Sequence, residues 1–137
     1  MGVALRPRLI RVDRHVRAPA EAAWQLLTDV GAWPQWGPSV RRAALDGGGT
    51  RLTAGAHGTV WTVAGVRMGF TITEFEPGRR WSWRVAGVPA TGHEVLEMPE
   101  GCRVAFEVPW WAGAYAAVCA VALARIDAML ATGQPPQ

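Results

Sequence analysis

Apolar and polar residues follow different periods in different parts of the chain, and each period predicts an element. Residues 8–17 alternate. Ile10, Val12 and Val16 point one way, Arg11, Asp13, His15 and Arg17 the other, which predicts a half-buried strand with a break at Arg14. Ala18-Pro19-Ala20-Glu21 then opens a helix, with proline where a missing N–H costs nothing and Glu21 near the positive end. Ala20, Ala23, Trp24, Leu27 and Val30 recur at three- and four-residue intervals and give that helix one apolar stripe. Gly31 and Pro34 interrupt it, so residues 29–36 form a second short helix or a tight bend. From residue 39 to 108 short β-rich runs alternate with turn clusters such as Asp46-Gly47-Gly48-Gly49, Glu76-Pro77-Gly78 and Pro99-Glu100-Gly101. These predict a meander of about six antiparallel strands. Residues 112–131 return to helical spacing. Tyr115, Val118, Cys119, Ala122, Leu123, Ile126, Met129 and Leu130 make a broad stripe, and the mostly Ala opposite face suggests little exposure on any side. Gly133 fits a C-terminal cap, and the tail 133–137 is expected to be loose.

A chain of 137 residues with no internal repeat is one α+β domain, 1–137, about seven strands and three helices in all. Composition adds one unusual feature: eight Trp against three Phe and a single Tyr. Buried indole needs a partner for its N–H, so a plain packing core favours Leu, Ile and Phe; an excess of Trp suggests walls for something flat and apolar. All fourteen basic residues are Arg, as GC-rich bacterial coding would give, and they are scattered or paired rather than gathered into a stripe. Nucleic-acid binding is therefore not expected despite the net charge of +3. The glycine run at 47–49 lacks a Gly-Lys-Ser/Thr ending and precedes a strand, so it reads as a turn and not a phosphate cradle. The longest uncharged stretch, 108–124, is short for a membrane span, and no signal-peptide core precedes the first strand; a cytoplasmic protein is expected. Cys102 and Cys119 have no metal-like spacing and read as free thiols, and the three His are dispersed, so neither a metal nor a cofactor is expected.

The predicted order is strand, short helical pair, six-strand meander, long helix. Within it stand Arg17-Ala18-Pro19-Ala20-Glu21-Ala22-Ala23-Trp24, Trp33-Pro34-Gln35-Trp36, Gly55-Ala56-His57-Gly58-Thr59-Val60 and Ile72-Thr73-Glu74-Phe75-Glu76-Pro77-Gly78-Arg79-Arg80-Trp81-Ser82-Trp83, then Gly92-His93 on to Phe106. In order and spacing these resemble the START/Bet v 1-like superfamily, also called the polyketide cyclase/dehydrase-like superfamily. The resemblance implies a helix-grip fold, a curved antiparallel sheet wrapped around the C-terminal helix and leaving a cavity. Fold alone does not give function.

Alternate sheet positions and the inner stripe of the last helix, with Trp36, Trp61 and Tyr115 as rim or wall residues, nominate the cavity lining: Trp36, Trp61, Met68, Phe70, Trp81, Trp83, His93, Phe106, Tyr115 and Cys119. If Phe70 and Ile72 point inward so does Glu74, unless a bulge before Phe75 swaps the faces; Glu107 falls out of phase with Phe106 and faces solvent. Of Trp110 and Trp111, one is expected to pack and fix the helix angle and the other to line an opening. The preferred function is binding of a small, flat, apolar or aromatic molecule by a monomer or homodimer acting as carrier, sensor or store. The resemblance supplies the alternatives. One is a metal-free aromatase/cyclase or dehydratase using Arg67, Glu74, His93 or Tyr115 for proton transfer. The other is an interaction or lipid- and quinone-handling module with an exposed apolar patch and a filled interior.

Overall fold

The computed structural model describes residues 9–131, so the proposed Gly133 cap and the tail lie outside the described residues. The elements are β1 (Leu9–Val16), α1 (Ala20–Leu27), a 3-10 turn (Val30–Ala32), α2 (Trp33–Trp36), β2 (Val40–Leu45), β3 (His57–Thr62), β4 (Arg67–Glu76), β5 (Arg80–Val85), β6 (Val88–Met98), β7 (Gly101–Pro109), a second 3-10 turn (Trp110–Ala112) and α3 (Tyr115–Ala131). All seven strands form one antiparallel sheet in the order β1-β7-β6-β5-β4-β3-β2. The meander runs from β2 to β7, and β1 closes onto its last strand. This is the helix-grip α+β architecture, with α3 across the inner face and α1 and α2 beside it. No helix among the described residues is long and apolar enough to cross a membrane.

Several local expectations are corrected. β1 pairs without a break from Leu9↔Pro109 to Val16↔Cys102. Arg14 fits its inward phase because its Nε donates to Asp127 Oδ2 of α3 at 2.7 Å, so a charged pair at the strand–helix seam looked like a fault in the pattern. α3 begins at Tyr115, three residues late, because Trp110–Ala112 form a 3-10 turn after Pro109. Nor is it covered on all sides: Cys119, Ala122, Leu123 and Ile126 are buried while Ala117, Ala120, Val121 and Ala124 are exposed. The Ala-rich face is simply the solvent face, where alanine supplies helix propensity. The glycine turn at 47–49 holds φ values of 80 to 88°, open only to glycine without strain, and begins the long connection between the antiparallel neighbours β2 and β3. That connection is tied to the helical segment by Val30 N–H to the Thr50 carbonyl (2.8 Å) and Leu52 N–H to the Thr28 carbonyl (2.9 Å).

Register decides which side chains face α3. Phe75, Trp81, His93, Phe106 and Val12 stand in one row across β4, β5, β6, β7 and β1. A bulge between Ile72 and Glu74 keeps Phe70, Ile72 and Phe75 on the inner face and turns Glu74 outward. The next row, Ser82–Gly92–Glu107–Arg11, is on the outer face.

Candidate functional site

The inner face holds an aromatic cluster, set by α2 from one side and β4 to β7 from the other. Trp33, 1 % exposed, donates its indole N–H to the Leu27 carbonyl at 2.9 Å, which fixes its ring. That ring stacks on Trp81 (5.3 Å between centroids, 10° between planes) and meets Trp83 edge-on at 5.2 Å. Trp81 in turn stacks on His93 at 3.8 Å, and Phe106 meets the imidazole edge-on at 4.8 Å. These are the offset and edge geometries that aromatic quadrupoles favour.

Within this cluster the hydrogen bonds fix one tautomer. Trp83 Nε1–H can only donate, and its acceptor is Thr91 Oγ1 at 3.0 Å; the Thr91 hydroxyl then donates to His93 Nε2 at 3.0 Å. The Trp81 carbonyl, 3.3 Å from Nδ1, can only accept, so the proton of His93 sits on Nδ1 and Nε2 is the acceptor facing Thr91. Burial lowers the His93 pKa to about 3; the hydrogen bond to the Trp81 carbonyl opposes this, and the charge of Arg80 across the sheet adds to it. The imidazole is neutral with both nitrogens engaged. Its ring, stacked on Trp81 and met edge-on by Phe106, presents a flat surface within the cluster.

Two neighbouring spaces lie between this cluster and α3. The inner one, bounded by Trp33, Trp36, Trp81, His93, Phe106 and Cys119, measures about 30 Å³, the room of a water molecule. The outer one measures about 320 Å³ and is walled by Val40, Val60, Met68, Trp83, Val85, Val108 and Trp111. Ser39, Val40, Trp83, Thr91 and Tyr115 border both. The Ser39 and Tyr115 hydroxyls are 2.7 Å apart and tie the loop before β2 to the first turn of α3. Burial raises the Tyr115 pKa, the Ser39 hydrogen bond opposing it, so the phenol stays protonated. Burial also pushes the Cys119 thiol up to about 11. The indole N–H groups of Trp36 and Trp81 are buried with no acceptor among the described residues.

Most nominated wall residues lie along these two spaces: Trp36, Met68, Trp81, Trp83, His93, Phe106, Tyr115 and Cys119. Phe70 is buried beside them, against Trp33 and Trp83. Trp61 borders the outer space but is out of phase with Val60 and Met68; it shares the outer face with Arg42 and Arg67, and the Arg42 guanidinium sits 4.5 Å from its ring centre. Glu74 is not a pocket acid. The bulge puts it on the outer face, where its Oε1 accepts from Arg80 Nε and Ser82 Oγ, each at 2.9 Å. Arg67 is exposed at a hairpin tip, and Glu107 stands on the outer face but is only 12 % exposed there, packed against Arg80 instead of facing solvent. Neither Trp110 nor Trp111 packs: both are exposed, and only Trp111 borders the cavity. Trp33 and Thr91 were missed. Thr91 stands two residues before His93 on the same face, so alternation could have found it. Trp33 lies on a four-residue helix, too short for periodicity to choose its buried side.

The family model for polyketide cyclase / dehydrase and lipid transport proteins matches residues 8–133. A search of curated protein sequences found no match. Among solved structures, protein MLL2253 from Mesorhizobium loti is similar over 91 % of this chain and 98 % of its own, with 14 % identity and a TM-score of 0.73. Protein NE0264 from Nitrosomonas europaea matches over 91 % and 95 %, with 15 % identity and a TM-score of 0.68. DynU16, a putative protein in the dynemicin biosynthetic locus, matches over 93 % of this chain but 48 % of its own, with 23 % identity and a TM-score of 0.65. At these identities the structural likeness establishes the fold.

Proposed function

This chain belongs to the polyketide cyclase / dehydrase and lipid transport family, and from that membership and its cavity we propose that it binds a small, flat, hydrophobic molecule, acting as a carrier, sensor or store. The observation that carries this reading is the outer space of about 320 Å³ with an almost wholly apolar wall, a volume in the range of small-molecule sites. The aromatic cluster beneath it offers rigid flat surfaces. The unpartnered N–H groups of Trp36 and Trp81 would favour a ligand carrying a carbonyl-type acceptor at its inner end. The neutral imidazole of His93, stacked on Trp81 and edge-on to Phe106, adds a further flat surface to that recognition.

Titration with 1-aminoanthracene, a flat apolar fluorophore, tests this: saturable one-to-one enhancement is expected, and Val85→Trp, which fills the outer space, abolishes it. A wild-type protein that neither takes up the probe nor carries a co-purifying molecule in native mass spectrometry sinks the proposal. A cyclase- or dehydratase-like reaction is the second reading, supported by the family and by the Tyr115–Ser39 hydroxyl pair bordering both spaces. There Tyr115, kept protonated, would be the acid. Tyr115→Phe separates the two: it spares probe binding in either case and removes turnover only in the second.

A further inference from the structure

The two ends of the sheet differ in the chemistry of their turns. At one end lie the β3–β4 and β5–β6 hairpin tips, the starts of β1 and β2, and the β7–α3 connection, and the outer space opens among them. The opposite end carries the polar turns at 46–50, 76–79 and 98–101, with Asp46, Glu76 and Glu100. Eight large apolar side chains among the described residues stay exposed, and six of them stand at the open end: Val63, Val66, Val88, Trp110, Trp111 and Tyr115, 37 to 63 % exposed. Segments 37–42, 61–68, 84–90 and 108–118 form this end. They contain Arg41, Arg42, Arg67 and Arg84, all exposed, and no Asp or Glu.

An apolar crown on three separate connections, collared by cations only, has the chemistry of a surface that meets an anionic lipid bilayer. Indole rings favour the interface, valines reach the acyl boundary, and arginines reach the headgroups on apolar stems. The crown surrounds an opening rather than forming a continuous face, which suits a deformable apolar phase better than the fixed complement of a folded partner. We propose that this end docks on anionic membrane surfaces, so that the mouth of the cavity faces the acyl region and an apolar ligand can pass without crossing water. The docking surface goes beyond the ligand reading and is testable on the empty protein.

Flotation with vesicles of phosphatidylcholine and phosphatidylglycerol at three to one, against pure phosphatidylcholine, is the experiment. Binding to the anionic vesicles is expected to weaken as salt rises, and to fall about fivefold in Arg84→Gln, as for one basic side chain near a charged surface. The triple variant Val63→Ser/Val66→Ser/Trp110→Ser touches no residue of the cavity wall; it should lose vesicle binding about tenfold or more yet take up 1-aminoanthracene like the wild type. The closed-end variant Met98→Ser should bind vesicles normally. The proposal is overturned if the wild type ignores anionic vesicles, if it binds neutral and anionic ones alike, or if the triple variant still floats. It is equally overturned if sedimentation velocity shows the crown sealing a dimer that the triple variant breaks, with no vesicle bound by either form. Failure of probe uptake with vesicle binding intact would count against the ligand reading alone.

Discussion

The two faces of the sheet across β5, β6 and β7 both bury polar groups, and they do so in opposite ways. On the inner face, Trp83, Thr91 and His93 form a short neutral chain of hydrogen bonds walled by aromatic rings. On the outer face, directly behind it, Arg80 is only 8 % exposed and is held by charge. Its Nε meets Glu74 at 2.9 Å and its Nη2 lies 2.5 Å from Glu107 Oε1, an ion pair outside ideal hydrogen-bond angles. Arg11 bridges on to Glu94 and Glu107, and Arg103 to Asp13. Gly92 makes room for this: a Cβ there would lie 2.8 Å from Arg80 Nη2. Burial disfavours the Arg80 charge, but Glu74 and Glu107 together outweigh it and raise its pKa above the ordinary arginine value. One face thus keeps polarity neutral so that a cavity beside it can stay apolar; the other keeps charges compensated where water is near.

Removing an inner ring should have the largest effect. Trp33→Ala deletes a fully buried indole in contact with Phe70, Trp81 and Trp83, and a loss of about 3–5 kcal/mol is expected in urea unfolding. A loss under about 1 kcal/mol would mean that the cluster is not the core of this fold. The outer face comes next. Arg80→Met leaves Glu107 with only its longer contact to Arg11, at a cost of about 2–3 kcal/mol, less than for a fully buried pair because Arg11 stays and Glu74 reaches water. The double change Arg80→Met/Glu107→Gln should recover part of that loss; no recovery would show that packing of the arginine stem, and not charge, is what holds the outer face.

How far these faces were legible in the sequence follows from the same contrast. Strict alternation located Met68, Phe70, Ile72, Trp81 and Trp83 correctly, because inside a regular ladder the period of two leaves no freedom. It failed at Glu74, where one extra residue swaps the faces and no local residue preference marks the bulge. Trp61 was nominated as a rim or wall residue for its ring and not by alternation; it borders the outer space but stands on the outer face beside Arg42, as alternation through Val60 would have placed it. Arg14 was misread for a different reason: a long charged side chain can occupy an inward position when a partner such as Asp127 arrives from another element. The size of the cavity was not legible at all, since it depends on how closely α3 approaches the sheet.

A pH titration sharpens the comparison further. His93 has a folded-state pKa near 3 against about 6.5 unfolded, so between these values the unfolded chain binds the extra proton. Stability contributed by the neutral imidazole is full above pH 6.5 and is lost as pH falls toward 3. Between pH 6.5 and 5 the wild type should lose about 1–2 kcal/mol that His93→Phe does not lose, while carboxylate effects of the outer face cancel in the difference. Parallel stability curves for the two proteins would place a charged or solvent-reached imidazole at this position.

The smallest effect tests the seam between the two spaces. Tyr115→Phe removes the hydroxyl pair with Ser39, a single partly exposed hydrogen bond worth about 0.5–1 kcal/mol. Global stability should therefore hardly change, and the consequence should be local. The loop before β2 and the first turn of α3 lose the side-chain hydrogen bond that joins them, between two residues that border both spaces. Amide hydrogen exchange is expected to speed up in residues 37–41 and 113–118 and nowhere in β5 to β7. Faster 1-aminoanthracene association with an unchanged stoichiometry should accompany it. If exchange in β6 rose as well, the neutral chain of Thr91 and His93 would depend on the Tyr115 seam, and the inner face would be a single cooperative unit rather than a rigid wall beside a movable one.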